Sequence, residues 1–303
     1  MSLIPQTGLD ETLAGWSIPS PRTLGAMTSP PLVSICMTVY EGNTQEEVLR
    51  ALQSIVRQDY PALEVILVLD GPVSIAVMTG IEGVQQTRVG NVRVISPGKK
   101  IGRVSALNLA IASAEGAFLA LMDADDESLG GRIETQVEFL LAHPDADVVG
   151  CAVEEVFGDG FTHVVRAPLT HQDCVREFRR RDPVYHPTAM FRRRFFDKVG
   201  RYPSAPEQCD DMALWLAGMR SGCQFANLDL PLYRMFLDDR FLARRGNPKW
   251  AWQVFRFRLR IARELGYGLK SYLWATLRLA VMLFPRGLLE RTYRIRGLIW
   301  KYV

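Results

Sequence analysis

The sequence predicts an α/β protein with an open, mostly parallel sheet flanked by helices and a helical C-terminal extension. Short apolar runs, typical of strands buried on both faces, alternate with segments of helical periodicity. This alternation favours strand–helix–strand units and therefore parallel strands. Three of the apolar runs end in polar clusters, at the edge of the sheet where ligands of such folds usually bind.

Each predicted element depends on local spacing. The first run, LVSICM, is too short and too apolar for a surface helix, whereas the segment after it repeats Val and Leu at helical spacing. The fourth run, AFLALM, leads directly into an acidic cluster. The predicted strands cover 32–37, 64–69, 92–95, 117–122 and 147–153, and the predicted helices cover 46–58, 102–114 and 132–143.

The composition is that of a globular protein, with 48% hydrophobic and 23% charged residues. The five cysteines are scattered without CxxC spacing, which predicts free thiols in a reducing cytoplasm. The N-terminus lacks a basic segment followed by an apolar run, so no signal peptide is expected. The apolar stretch 271–284 is interrupted by Arg278 and falls short of the roughly 20 residues of a membrane span.

Charge and periodicity divide the chain into three parts. Residues 1–30, with scattered Pro and Gly, are predicted to form an irregular lead-in, and 31–240 form the α/β domain. Residues 241–303 carry fourteen Lys or Arg and two Glu, a net charge of +12, whereas the rest of the chain carries −9. A basic tail on an acidic body predicts an anionic partner for the tail.

The acidic cluster Asp123-Ala124-Asp125-Asp126 is the main candidate site. Three carboxylates within four residues repel one another unless water or a cation neutralises them. Mg²⁺ and Mn²⁺ prefer oxygen ligands and commonly bind phosphate oxygens as well. The alternative is an ordinary turn that caps the next helix. Asp70, in Asp-Gly-Pro after the second strand, is likewise either a turn cap or a contact to a nucleobase.

Several ordered motifs together resemble family 2 glycosyltransferases, over roughly residues 31–245. The tail resembles, more weakly, that of bacterial exopolysaccharide and lipopolysaccharide glycosyltransferases. The resemblance implies the GT-A fold, with a nucleotide-sugar half over 31–130 and an acceptor half over 131–240. The motifs are 33–40, 52–58 (LQSIVRQ), 68–72 (VLDGP), 102–108, 114–126 and 136–144.

By this resemblance, the donor is a nucleoside diphosphate sugar, with UDP favoured. Asp70 contacts the base, Asp123 lies near the ribose and diphosphate, and Asp125 holds a divalent metal together with Asp123. Leu69 and Leu107 stand where many members carry an acid and an arginine, which leaves Lys99, Lys100 and Arg103 as candidates for the missing cation. The implied donor-binding residues are Thr38, Tyr40, Glu41, Asp70, Gly102, Asn108, Asp123 and Arg234.

The resemblance also supplies a catalytic base. The segment 209–215 (CDDMALW) matches a family segment in which Asp211 is the base and Asp210 stands where Glu is common. A carboxylate ionised at neutral pH suits this role. From the residues alone, two acids at the start of a helix are better explained by the helix dipole. His186 and Trp215 are weaker candidates for contact with donor or acceptor.

The implied reaction is inverting transfer of a single sugar to a glycan or lipid-linked acceptor in cell-surface polysaccharide synthesis. The Gln-x-x-Arg-Trp motif of processive synthases is absent. Two alternatives remain: a nucleotidyltransferase acting on sugar phosphates, although 38–45 lacks the basic Gly-rich loop typical of that class, and a non-catalytic nucleotide-sugar-binding module.

The tail predicts a peripheral membrane contact on the inner face of the cytoplasmic membrane. Val254, Phe257, Ile261 and Leu265 share one helical face, and Arg256, Arg260 and Arg263 share another. Basic amphipathic helices with tryptophans fit anionic membrane surfaces. The alternative is a helical cap packed on the domain with a solvated arginine face. No nucleic-acid recognition motif is visible, so no nucleic-acid partner is expected.

Overall fold

The computed structural model describes residues 29–87, 91–206, 209–238, 240–241, 243 and 247–299. The predicted lead-in 1–30 therefore lies outside the described residues except for Ser29 and Pro30. The strands are β1 Val33–Tyr40, β2 Leu63–Asp70, β3 Asn91–Ile95, β4 Phe118–Asp123, β5 Glu127–Ser128, β6 Val148–Phe157, β7 Thr162–Val165, β8 Met190–Arg192 and β9 Phe225–Leu237. The helices are α1 Gln45–Val56, α2 Ile75–Gln86, α3 Arg103–Ser113, α4 Arg132–Ala142, α5 His171–Phe178, α6 Arg193–Val199, α7 Asp210–Arg220, α8 Pro248–Glu264, α9 Leu269–Met282 and α10 Arg286–Ile299.

The described strands form one sheet in the order β3-β2-β1-β4-β8-β6-β9-β5, with β7 paired to β6. The first four strands are parallel, and β1, β2 and β4 are buried, which confirms the α/β prediction. From β8 onward the sheet is mixed, because β8 runs antiparallel to both β4 and β6. The long pair of β6 and β9 is parallel, so the parallel prediction holds for the first four strands and for this pair.

The strand order reverses at β1. The next two strands, β2 and β3, lie on one side of β1, and β4 lies on its other side. Ligands of open α/β sheets bind where such a reversal opens a crevice beyond the carboxyl ends of the strands. The register places Thr38 opposite Asp123 and Tyr40 opposite Asp70. The three polar strand ends predicted to converge therefore do so.

Local sequence explains how the helices begin. Thr44 and Glu47 form a reciprocal capping box at the start of α1. Ser74 caps α2, a helix that the periodicity did not predict because Gly80 and Gly83 interrupt it. A Cβ at Gly80 would lie 3.2 Å from the Leu49 side chain, so the glycine allows α2 to pack closely on α1.

Helix α8 packs on the α/β domain rather than extending away from it. Its predicted apolar face is buried, with Val254 and Ile261 only 2% and 1% exposed. Arg258 is also buried, and its guanidinium donates to the Phe178 carbonyl and to Asp182. Helix α9 packs in turn on α8. No described helix combines the length and apolarity needed to cross a membrane.

Candidate active site

The carboxyl ends of β1 and β2 form one wall of the candidate site. Tyr40 is 38% exposed at the end of β1, and the next residue, Glu41, pairs with Lys100 at 2.9 Å. One carboxylate oxygen of Asp70 accepts hydrogen bonds from the backbone nitrogens of Ile101 and Gly102, at 2.7 and 2.8 Å. Asp70 therefore ties the loop before α3 to the end of β2.

Gly102 occupies a position that favours glycine. Its φ of +87° lies in the left-handed region, directly before the first residue of α3. The turn directs the start of α3 toward the end of β4. The next residue, Arg103, is the first of α3, and its guanidinium lies 3.8 Å from Asp123. Gly102 thus has a structural role, and its predicted contact with the donor stays a prediction.

The acidic cluster lies at the end of β4. Carboxylate oxygens of Asp123, Asp125 and Asp126 all lie within 4.8 Å of one another. Burial and the charges of Asp125 and Asp123 raise the pKa of Asp126 well above its ordinary value. Three carboxylates at this spacing form a donor set that suits a hard divalent cation, which would relieve their repulsion.

The interpretation of this segment as a helix-capping turn is wrong. Gly131 is the N-cap of α4, and Asp126 instead accepts a hydrogen bond from the Phe236 backbone nitrogen at 3.1 Å. The two residues after Asp126 form β5, which pairs with β9. The cluster is therefore fixed between β4 and β9, and only 3% of Asp126 is exposed.

Two arginines fix the backbone around the cluster. Arg50 donates to the Asp125 carbonyl at 2.6 Å. Arg132 is buried and donates to the carbonyls of Leu121 and Pro187, at 3.0 and 3.1 Å. These bonds link the strand that carries the acids to α1, to α4 and to the turn His186–Thr188. The position of the carboxylates is thus determined by contacts distant in sequence.

Arg103 connects the acidic cluster to the second half of the molecule. Its guanidinium forms an ion pair with Asp210, and one of its nitrogens lies 3.8 Å from an Asp123 oxygen. The same nitrogen lies 3.1 Å from Nδ1 of His186. Leu107, which replaces the family's arginine, is buried in the core. Arg103 thus places a cation at the site from one turn earlier in the same helix.

His186 is held in one neutral tautomer. Since arginine only donates, Nδ1 accepts from Arg103, and the protonated Nε2 donates to the Tyr202 hydroxyl at 2.8 Å. Burial, together with the charge of Arg103, lowers the pKa of His186 to about 4. His186 is only 7% exposed. Its two hydrogen bonds hold Arg103 and Tyr202 in place, and its predicted contact with donor or acceptor stays a prediction.

The two predicted catalytic acids differ in their surroundings. Asp210 is 5% exposed and is ion-paired with Arg103. Asp211 is half-buried, at the start of α7, where one of its oxygens accepts from the Met212 backbone nitrogen. Trp215 has no exposed surface and packs behind His186, with ring centroids 6.1 Å apart. It supports the site through this packing, and its predicted contact with donor or acceptor stays a prediction.

Two predicted donor contacts have protein partners in this structure. Asn108 accepts from the Tyr202 backbone nitrogen at 2.9 Å and donates to the Tyr202 carbonyl at 3.4 Å. Arg234 bridges Glu154 and Glu127, at 2.6 and 2.8 Å. Asn108 therefore positions the segment before α7, and Arg234 joins β9 to β5 and β6. Their contacts with a donor stay predictions.

Comparison with known proteins agrees with this geometry. The family model described as glycosyl transferase family 2 matches residues 34–200, more than half of the chain. Among the relatives, the amylovoran biosynthesis glycosyltransferase AmsE of Erwinia amylovora is 29% identical, over 86% of this chain and 98% of its own. The UDP-Gal:alpha-D-GlcNAc-diphosphoundecaprenol beta-1,3-galactosyltransferase of Escherichia coli is 26% identical, over 73% and 80%.

Solved structures share the fold. The mannosyltransferase PcManGT of Pyrobaculum calidifontis, in complex with GDP-Man and Mn²⁺, superposes with a TM-score of 0.61 at 18% identity, covering 93% of this chain and 84% of its own. S. aureus TarS 1–349, in complex with UDP-GlcNAc, superposes with a TM-score of 0.58 at 19% identity, covering 90% and 76%. These similarities confirm the GT-A prediction.

Proposed function

The chain belongs to glycosyl transferase family 2, and from the geometry of its site we propose that it is a metal-dependent, inverting enzyme that transfers one sugar. The donor is a nucleoside diphosphate sugar, with UDP favoured, and the acceptor is a hydroxyl of a glycan or lipid-linked glycan. The main support for the proposal is the guanidinium of Arg103. It contacts Asp123 in the acidic cluster and Asp210 at the start of α7, the helix that bears the proposed base.

The donor lies in the crevice between the ends of β1, β2 and β4. Thr38 and Tyr40 line the nucleoside pocket, and the exposed ring of Tyr40 offers a face for a base. Asp70 lies at the bottom of this crevice, because its carboxylate is largely buried beneath the loop before α3. Binding in this crevice brings the diphosphate to Asp123 and Asp125.

Asp123 and Asp125 are the residues that hold the divalent cation, with Asp126 behind them. When bound, the cation offsets the negative charge that develops on the departing diphosphate. The fit rests on three carboxylates within 4.8 Å of one another, all offering the oxygen ligands that Mg²⁺ and Mn²⁺ prefer. The Mn²⁺ in the mannosyltransferase complex supports the same kind of ion.

Asp211 is the general base. It takes the proton of the acceptor hydroxyl as that oxygen forms a bond to the anomeric carbon. The bond from the anomeric carbon to the diphosphate oxygen breaks in the same displacement, so the anomeric configuration inverts and the nucleoside diphosphate leaves with the bonding electrons. Asp211 suits this role better than Asp210, because Asp210 is buried and ion-paired with Arg103.

Arg103 positions the reacting groups. Its ion pair fixes Asp210 and hence the first turn of α7, and its remaining donors point to Asp123 and His186. The distance between donor and base thus depends in part on Arg103, and misplacement of about 1 Å can lower rates by roughly a hundredfold. Arg103 replaces the missing cation at position 107.

The acceptor is proposed to be lipid-linked and to meet the enzyme at the inner face of the cytoplasmic membrane. The diphosphoundecaprenol acceptor in the name of the Escherichia coli relative supports a lipid carrier. The basic C-terminal tail supports a location beside anionic lipid. The product is then a lipid-linked glycan longer by one sugar, as cell-surface polysaccharide synthesis requires.

A panel of nucleotide sugars, incubated with Mn²⁺ or Mg²⁺ and assayed for released nucleoside diphosphate, tests this function. Release from one donor, increased by acceptor, is the expected result. Pyrophosphate release from a nucleoside triphosphate and a sugar phosphate would instead identify a nucleotidyltransferase. Donor binding without hydrolysis or transfer, for every donor and acceptor class tried, would identify a binding module.

A further inference from the structure

Helix α9 turns a row of leucines toward solvent. Leu269, Leu273 and Leu277 recur every four residues along one face and are 87%, 69% and 50% exposed. Ser271, Ala275 and Met282 form the buried face. The helix thus packs through these residues and leaves three leucines of its opposite face in water. Aligned exposed leucines of this kind mark an interaction surface.

Helix α8, against which α9 packs, presents a basic outer face. Its exposed residues follow helical spacing, while the opposite side is buried in the core. The apolar face of α8 packs on the domain, as the helical-cap alternative expects, and membrane contact by the tail stays a prediction. The exposed members of the basic face are Lys249, Trp252, Arg256, Arg260 and Arg263.

We propose that the leucine face of α9, assisted by the basic face of α8, docks on the surface of an anionic lipid bilayer. A helix lying in the interface buries its apolar side chains among the acyl chains, while basic groups contact the phosphates of the lipid headgroups. Trp252, 53% exposed on the basic face, has the amphipathic ring that is typical of the headgroup region.

Charge favours a bilayer over a second copy of the chain as the occupant of this face. Residues 241–303 carry a net charge of +12. Two copies docked through α9 would bring two such tails together, and like charges at an interface oppose association. An anionic bilayer has the opposite charge and also accepts apolar side chains, so it matches both features of the surface.

This inference deepens the proposed function by naming the surface that brings the enzyme to a lipid-linked acceptor, but docking itself does not depend on catalysis. The test is flotation of the full chain with vesicles of phosphatidylglycerol and phosphatidylcholine at low salt. We expect the wild type to float with these vesicles and to remain at the bottom with phosphatidylcholine alone.

The variant Leu269→Ser/Leu273→Ser/Leu277→Ser should lower the partition coefficient at least about tenfold, since three apolar side chains no longer enter the bilayer. Ile75→Ser is the matched control, because Ile75 is 85% exposed on α2, outside this surface. It should float like the wild type. Thermal unfolding should be unchanged in both variants, since all four positions are exposed.

Three results would overturn the proposal: wild type that does not float, a triple variant that floats equally well, or a self-associating wild type that the triple variant makes monomeric in sedimentation. Nucleoside diphosphate release with a water-soluble acceptor should be equal in wild type and triple variant. Flotation without nucleoside diphosphate release from any donor, with any water-soluble or lipid-linked acceptor, would reject the proposed function and leave the docking surface intact.

Discussion

Arg103 illustrates how one side chain can determine the arrangement of a site. It stands at the first position of α3, after a glycine with positive φ, and forms an ion pair with a residue 107 positions later. Sequence could name it as one of three candidate cations for the position lost at Leu107. It could not select among them, because that choice depends on how α3 and α7 pack.

Replacing Arg103 by Met should lower kcat/KM by about a hundredfold, because α7 loses its anchor and Asp210 loses its charge partner. Steady-state kinetics of nucleoside diphosphate release would measure the change, with most of it in kcat. Arg166→Met is the matched control, since Arg166 forms an exposed ion pair with Asp229. Equal activity of both variants would contradict the positioning role.

His186 gives a prediction about pH. Its pKa is about 4 in the folded protein against an ordinary 6.5, so the unfolded chain binds the extra proton between these values. Stability is therefore complete above about pH 6.5 and falls as the pH decreases toward 4. Between pH 7 and 4.5 the wild type should lose roughly 2 kcal/mol more free energy of unfolding than His186→Gln.

Denaturant unfolding of both proteins at the two pH values measures this difference. The comparison isolates the imidazole, because the carboxylates that titrate in the same range are common to both proteins. An identical pH dependence would mean that His186 is protonated equally easily in the folded and unfolded states.

Among the elements, those with long regular patterns were predictable. The buried runs of β1, β2 and β4 and the periodicity of α1, α3 and α4 agree with the structure to within a few residues. Strands β5, β7 and β8 have two to four residues, too few to establish a period. Their pairing is decided by long-range packing, and therefore the mixed half of the sheet was not predicted.

The packing of α8 predicts that this helix is part of the folding unit of the α/β domain. Phe257→Ala should destabilise the catalytic domain by about 3–4 kcal/mol, because Phe257 is 4% exposed within the core shared with α3, α5 and α7. Trp252→Ala on the same helix should change stability by less than about 0.5 kcal/mol, since Trp252 is exposed. Equal effects in thermal unfolding would indicate a tail that folds independently.

At the scale of the whole molecule, the site is assembled from both halves of the sheet. The acids proposed to hold the donor lie at the end of β4, the proposed base lies at the start of α7, and β9 closes the cluster through Phe236. The convergence of the polar strand ends followed from topology and was predicted. The roles of Arg50 and Arg132 were not, because neither residue belongs to a recognisable motif.

Metal removal tests how the acidic cluster works as a unit. Chelation by EDTA should abolish sugar transfer, and added Mn²⁺ or Mg²⁺ should restore it. Asp125→Ala should lower turnover by orders of magnitude, because Asp125 is proposed to help hold the cation that would offset the diphosphate charge. Glu82→Ala, an exposed acid of α2, serves as the control. Wild-type transfer rates in purified Asp125→Ala would show that this carboxylate has no role in the reaction.

In the proposed reaction, Asp211 removes the acceptor proton while the acidic cluster holds the donor. The turnover of Asp211→Asn, measured together with its donor affinity, tests this division of roles. We expect a decrease of about 10²–10⁴ in kcat with an unchanged Kd for the nucleotide sugar, because only proton removal is lost. Transfer at the wild-type rate, or a decrease that arises from weaker donor binding alone, would contradict it.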